Sequence, residues 1–470
     1  MLSRVCRIFA VAGGLSIFLG ASCTPPILTP PPPPAYTVVF PIRGADGAFL
    51  ETADGVLQPD LHTAVDCPNM TGQLICVLAG QSGGANMVIT APGYQTQNFR
   101  LVIPQENTTW AEIQMQPVSV APSRLRVQGK RMLKDDGTVF AWQGITAFSL
   151  VNDLADGRDN QVITLLDWAA ANGVTIVRVL SQLPRGMFEL TPETGRMHLP
   201  RLLVLAAERG LYVEVVGLAG TGIVTFDHRQ HLTQIGQICA HATNCVIEIA
   251  NEPNHASQAV QVRDPKYLLE LRKLIPAHVM VSLGAAHGPS DESMDYTGGD
   301  YVTVHTNRSN ADDGWKWVQH AREVQAMRDA HHQKFAVSDE PRRDFPREDQ
   351  HLAYGLLMRM YGLGDTFHYL GGLHGQIPVG DELVGFLAHQ RAWQIVTDDW
   401  STGQYTAAHL TNSPVRVNDQ VLRAYSSLQG STGLTLLMNV RAGAVVTWQH
   451  GWAPALVVTQ GKTQFYRVTR

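Results

Sequence analysis

Val246-Ile-Glu-Ile-Ala-Asn-Glu-Pro-Asn-His255 is an apolar β-run that stops at Asn251-Glu252-Pro253. Lys334-Phe-Ala-Val-Ser-Asp-Glu-Pro-Arg-Arg343 is a second such run, ending in the carboxylate of Glu340. Around them, from about Arg124 onward, apolar β-runs alternate with amphipathic helical segments, the pattern of βα units and a parallel sheet. Strand candidates end near Phe148, Leu180, Gly217, Ala250, Leu283, His305, Asp339 and Leu370. Eight runs predict an α/β chain closed as a TIM (β/α)8 barrel, with Glu252 after strand four and Glu340 after strand seven. Active sites of such barrels lie at the carboxyl ends of the strands, so the residues that stop these runs stand at the chemistry.

The crossovers carry helix signals. Gln161 to Ala171 stops before Gly173, Arg201 to Arg209 stops before Gly210, and Pro265 to Leu274 has apolar residues at helical spacing. The stretch between Leu283 and Tyr301 is rich in Gly, Ser and Asp, which predicts a short helix or none in the fifth crossover.

At 470 residues there is room for the barrel and accessory domains. Residues 1–23 read as an export signal: Arg4 and Arg7, an apolar stretch from Ile8 to Leu19, then Gly20, Ala21 and Ser22 before Cys23. Leu19-Gly-Ala-Ser-Cys23 resembles a bacterial lipoprotein signal, which implies a lipid-bearing Cys23 and an exported chain anchored to the outer membrane. Residues 24–35 hold a proline run that can only extend as a spacer. Residues 36–118 show short β-runs separated by turns, read as a β-sandwich, and Ala91-Pro-Gly-Tyr94 resembles carboxypeptidase-regulatory-like modules. The barrel is assigned to 119–412 and a small C-terminal β-domain to 413–470. Outside the signal region the cysteines fall into two local pairs, Cys67 with Cys76 and Cys239 with Cys245, which fits disulfides in an oxidising compartment.

The two glutamate motifs, in this order and at this separation, resemble clan A of the glycoside hydrolases, the superfamily of cellulases, β-mannanases and β-galactosidases. The resemblance runs from about Arg124 to Thr397. It implies a retaining glycosidase in which Glu252 is the acid/base, Glu340 the nucleophile and Asn251 a donor to the sugar 2-hydroxyl. It further implies that Arg178, in Val174-Thr-Ile-Val-Arg-Val-Leu180, holds the nucleophile ionised and that His305 contacts it. One carboxyl group must protonate the leaving oxygen while the other attacks the anomeric carbon, which is why the chemistry requires a pair.

The sequence departs from the clan at two places. His305-Thr-Asn307 stands where the clan has His-Xaa-Tyr, and the strand-eight tryptophan that serves as a sugar platform is missing from Thr366-Phe-His-Tyr-Leu-Gly-Gly-Leu-His374. Asn307 and His374 are taken as substrate contacts in their place, with Tyr369 and Trp393 as other substitutes. Trp315, in Asp312-Asp-Gly-Trp-Lys-Trp317, either stacks on sugar or packs under its helix.

Taken singly, Asn251-Glu252-Pro253 also reads as a helix cap and Glu340 as a surface acid paired with Arg342 or Arg343. A net charge of −5 and a pI near 6.4 give no basic surface, so nucleic acid is not expected as a partner. The histidines show no metal-ligand spacing at a strand end and no phosphate loop is present, so no metal or cofactor is expected. A non-catalytic glycan-binding lipoprotein and a transglycosylase are the competing readings.

Overall fold

The computed structural model describes residues 7–8, 21–22, 35–44, 48–59, 65–79, 83–91, 94, 97–103, 106–110, 112–115, 122–286, 295–306, 313–330, 333–343, 347–407, 413–449 and 451–470. Cys23, the proline spacer, Asn307 and most of the expected export signal lie outside the described residues.

Eight parallel strands form the central sheet: β1 (Gln143–Thr146), β2 (Ile176–Leu180), β3 (Tyr212–Leu218), β4 (Cys245–Ala250), β5 (Val281–Ser282), β6 (Val302–Val304), β7 (Ala336–Ser338) and β8 (Gly364–Phe367). They pair in ring order, and β8 returns to β1. At the β5–β6 seam the linkage runs through Asp300, whose backbone N–H donates to Val281 O at 2.6 Å, and through a 2.8 Å bond between the Ser282 and Thr303 hydroxyls. The expected (β/α)8 barrel is therefore present.

Successive side chains of a strand face opposite sides, and this alternation sorts the barrel into layers. Outward residues such as Val177, Val179, Val213, Val215, Ile247 and Ile249 share one core with the surrounding helices. Inward, the floor is apolar: Phe140, Trp142, Ile176, Tyr212, Val246, Tyr301 and Phe335 form one cluster. One inward position higher stand Arg178 on β2, Glu214 on β3 and Glu248 on β4, none more than 1% exposed. Charge thus sits on an aromatic floor, where water cannot replace its partners.

The helices that carry the strands back are α1 (Leu150–Ala155), α2 (Asp159–Ala171), α3 (Pro192–Ala207), α4 (His228–His241), α5 (Pro265–Arg272), α6 (Trp315–Gln319), α7 (Ala321–Ala330), α8 (Glu348–Met360) and α9 (Asp381–Ile395). α3 begins nine residues before the predicted Arg201, because Thr191 caps it and Pro192 fits the first turn. Pro200, inside it, had masked that start. No helix lies among the described residues of the fifth crossover.

The C-terminal sheet has the order Gln404–Ala407, Val421–Gln429, Thr432–Val440, Thr463–Thr469, Ala453–Gln460. Its first strand precedes residue 413, so the sheet draws in residues assigned from sequence to the barrel. Leu434, Leu436, Met438 and Phe465 share a core with Leu352, Leu356 and Leu357 of α8. At the other end of the chain, one sheet contains Ala35–Arg43 and Gln73–Ala79 and a second contains Asp54–Pro59, Gly84–Thr90 and Gln97–Val102, around a common core. Both expected disulfides are formed, Cys67–Cys76 between these two sheets and Cys239–Cys245 between α4 and β4.

Candidate active site

Five strands deliver polar side chains to one end of the barrel. Arg178 comes from β2, Asn251 and Glu252 follow β4, His305 follows β6, Asp339 and Glu340 follow β7, and His368 follows β8. The turn after β4 is unusual: Glu252 has φ +44°, a conformation that L-residues adopt at a cost and that clusters at functional sites. Gly284, after β5, passes beneath it at φ +125°. A Cβ there would stand 2.0 Å from Ala250 O and 2.9 Å from Pro253 Cγ, so only glycine lets the two turns approach.

Arg178 is the hub. Its Nη1 donates to Glu340 Oε1 at 2.7 Å, its Nε and Nη2 to Glu248 Oε2 at 2.9 and 2.6 Å, and its Nη2 to Asn251 Oδ1 at 2.8 Å. Accepting through Oδ1 turns the Asn251 amide NH2 away from Arg178 as a donor. Asp339 Oδ2 and Glu214 Oε2 lie 3.4 and 3.6 Å from Arg178 Nε. Burial works against the cation, yet the charges of Glu248, Asp339, Glu340 and Glu214 together hold it well above its ordinary value.

The deeper carboxyls are in the opposite situation. Burial, reinforced by Asp339, pushes Glu214 up to about 8 despite Arg178, while the Tyr301 hydroxyl donates to its Oε1 at 2.8 Å. Burial likewise raises Glu248 well above the carboxylate range. One guanidinium cannot neutralise four carboxylates in a dry barrel, so the lower pair keeps protons that the upper residues do not need.

Above Arg178 the glutamates converge. A carboxylate oxygen of Glu252, one of Glu340 and a ring nitrogen of His305 all lie within 4.8 Å of one another. His305 Nδ1 is 3.0 Å from Glu252 Oε1, and its Nε2 is 3.5 Å from Asp339 Oδ1 and 3.8 Å from Glu340 Oε1. Burial would lower this imidazole, but Glu340 and Asp339 outweigh it and hold it well above its usual value, as an imidazolium between carboxylates. On the far side, His368 Nε2 is 3.9 Å from Glu340 Oε2.

Arg178, Asn251, Glu252, His305 and Glu340 are therefore brought together as the sequence predicts. Trp315 is not: it is fully buried in the core between the barrel and the C-terminal sheet, so its ring cannot stack on a ligand. This corrects its expected role and leaves the packing alternative. Tyr369 is buried with its hydroxyl donating to Gln376 O, and Trp393 is buried with its Nε1 donating to Asp365, so neither replaces the missing platform. His374 is exposed in the turn after β8 and has no contact with the glutamates among the described residues. Glu214, Glu248, Asp339 and His368 were missed. Their signal was a polar residue at the inward position of an apolar strand, as in Tyr212-Val-Glu-Val-Val216 and Val246-Ile-Glu-Ile-Ala250.

Two groups have ligand atoms close enough to share a metal ion: Glu248, His305 and Asp339, and Glu252, His305 and Glu340. In the first, Arg178 lies 2.6 Å from Glu248 and 3.4 Å from Asp339, and its guanidinium already supplies the positive charge. The second contains the converging glutamates themselves.

No family profile matches the chain, and no curated protein matches it in sequence. The solved structure of a candidate glycoside hydrolase from Bacteroides vulgatus ATCC 8482 is similar to it, with a TM-score of 0.50 at 11% identity over 93% of this chain and 98% of that one. The chain shares the (β/α)8 barrel fold of that structure. A glycoside hydrolase family 5 protein from the same organism has a TM-score of 0.46 at 12% identity, over 74% of this chain and 93% of its own. Another glycoside hydrolase has a TM-score of 0.48 at 11% identity, over 74% and 97%.

Proposed function

We propose that this chain is a retaining glycoside hydrolase that acts on a poly- or oligosaccharide by double displacement. The observation that carries the reading is the approach of the Glu252 and Glu340 carboxylate oxygens to within 4.8 Å. Retention requires carboxyl groups about 5–5.5 Å apart, whereas inversion needs about 6.5–9.5 Å to admit a water between them.

In this reading Glu340, clamped by Arg178, attacks the anomeric carbon and forms a glycosyl ester. Glu252 gives its proton to the leaving oxygen, then takes one from the water that cleaves the ester. His305, 3.0 Å from Glu252 and 3.8 Å from Glu340, stabilises the charge of the nucleophile and the charge that Glu252 acquires once it has given up its proton. Asn251, its amide oxygen held by Arg178, offers NH2 to the 2-hydroxyl. Export and a lipid anchor at Cys23 remain part of the proposal, supported by the two disulfides, which persist in oxidising compartments.

The test is hydrolysis of aryl β-glycosides and polysaccharides, with the anomer of the first-formed product read by NMR. Net retention, with activity lost in Glu340→Ala, is expected. An inverted product or activity that survives the substitution would sink the mechanism, and binding without turnover would favour a glycan-binding lipoprotein.

A further inference from the structure

Resting on the glycosidase reading, we infer that the sugar seated over Glu340 is a uronic acid whose C6 carboxylate is received by Arg343. Arg343 follows the Glu340 turn, and its Nη1 donates to His368 Nε2 at 3.2 Å. His368 is fully buried, and the same Nε2 stands 3.9 Å from Glu340 Oε2, so the guanidinium is one side chain removed from the nucleophile. The Thr146 hydroxyl bonds the other ring nitrogen at 2.8 Å and completes the fixation of the imidazole.

Among the described residues Arg343 has no carboxylate partner, whereas Arg178 faces four. A half-buried guanidinium at the rim of a ligand site, with its fork unfilled, is a receptor for a planar anion. Ring order supplies the direction. β4, which carries Asn251, and β8, which carries His368, lie four strands apart in an eight-stranded ring and so face each other across the mouth. In a pyranose, C2 and C5 are opposite ring atoms. A sugar with its 2-hydroxyl on Asn251 therefore points its C5 substituent toward His368 and Arg343. In a neutral hexose that substituent is a hydroxymethyl group, and in a uronic acid it is a carboxylate that the guanidinium binds through two parallel N–H donors.

The experiment compares matched pairs, 4-nitrophenyl β-D-glucuronide with the glucoside and the galacturonide with the galactoside, in wild type, Arg343→Gln and Arg343→Lys. Wild type should prefer the acidic member of at least one pair. Arg343→Gln should lower the acid-to-neutral ratio of kcat/KM about 10–100-fold, the worth of a charge-assisted bond, with partial recovery in Arg343→Lys. Preference for the neutral member, or a ratio unmoved by Arg343→Gln, overturns the inference and leaves the glycosidase intact. If no pair is turned over, calorimetric binding of glucuronate against glucose decides instead, and the glycosidase reading stands or falls separately on the polysaccharides. Acid-selective binding lost in Arg343→Gln upholds the subsite, and its absence overturns it.

Discussion

His305 Nδ1 lies 3.0 Å from Glu252 Oε1, while the opposite nitrogen of the same ring lies 3.8 Å from Glu340 Oε1, so one imidazole spans both proposed catalytic groups. His305→Gln keeps a donor for at most one of them. A hydrogen bond to a charged partner is worth about 1.5–3 kcal/mol, so kcat/KM should fall about 10–100-fold. Because its value is raised above the ordinary 6.5, the imidazolium is fully present at and below that pH and is lost only as pH rises through its folded value. The alkaline limb of the wild-type profile should therefore change shape in the variant. Equal activity across the pH range would remove His305 from the mechanism.

Glu214 lies one layer below this contact, with its carboxyl pushed up to about 8 from an ordinary 4.5. The folded state therefore holds the proton more tightly than the unfolded chain. The site's contribution is complete below about 4.5 and is lost as pH climbs to about 8, at about 1.4 kcal/mol per unit. Glu214→Gln removes the ionisation while keeping the shape and an acceptor for Tyr301. Urea midpoints should show the variant gaining on wild type between the two ends of that window. Parallel pH curves would show that Glu214 ionises in the folded protein as it does in the unfolded one.

The strand ends and the residues that terminate them were legible because barrel geometry makes them so: a run buried on both faces reads as apolar, and a polar stop marks its mouth. What the sequence hid depends on the third dimension. Glu214 and Glu248 sit inside apolar runs, and only the inward alternation of β3 and β4 turns both toward Arg178. His368 takes its place from the β8–β1 closure that brings Thr146 beside it, a pairing of the first and last strands that no local pattern encodes. The start of α3 was obscured because Pro200 reads as a breaker, although the helix passes through it.

Trp315 tests the distinction between binding and packing. It is fully buried against the helices that meet the C-terminal sheet. Trp315→Ala should cost about 3–5 kcal/mol through lost contact and an unfilled cavity. The folded fraction should keep its KM, since no sugar contact has been removed. A raised KM at unchanged stability would restore Trp315 to the binding site.

Arg178 makes the opposite prediction about charge. Glu340, Glu248, Asp339 and Glu214 all lie within 3.6 Å of its guanidinium, and all five side chains are at most 7% exposed. Arg178→Met preserves much of the side-chain volume but strands these carboxyls without a counter-charge. Removing one partner of a buried ion pair costs about 3–5 kcal/mol, and that loss is expected in urea unfolding at neutral pH. The penalty belongs to the ionised carboxylates, so it should shrink as the pH is lowered and they take up protons. Activity should not return along with stability, because Glu340 would then be protonated and unable to attack. A pH-independent loss of stability would mean that Arg178 acts in the fold by packing rather than as the counter-ion of the barrel.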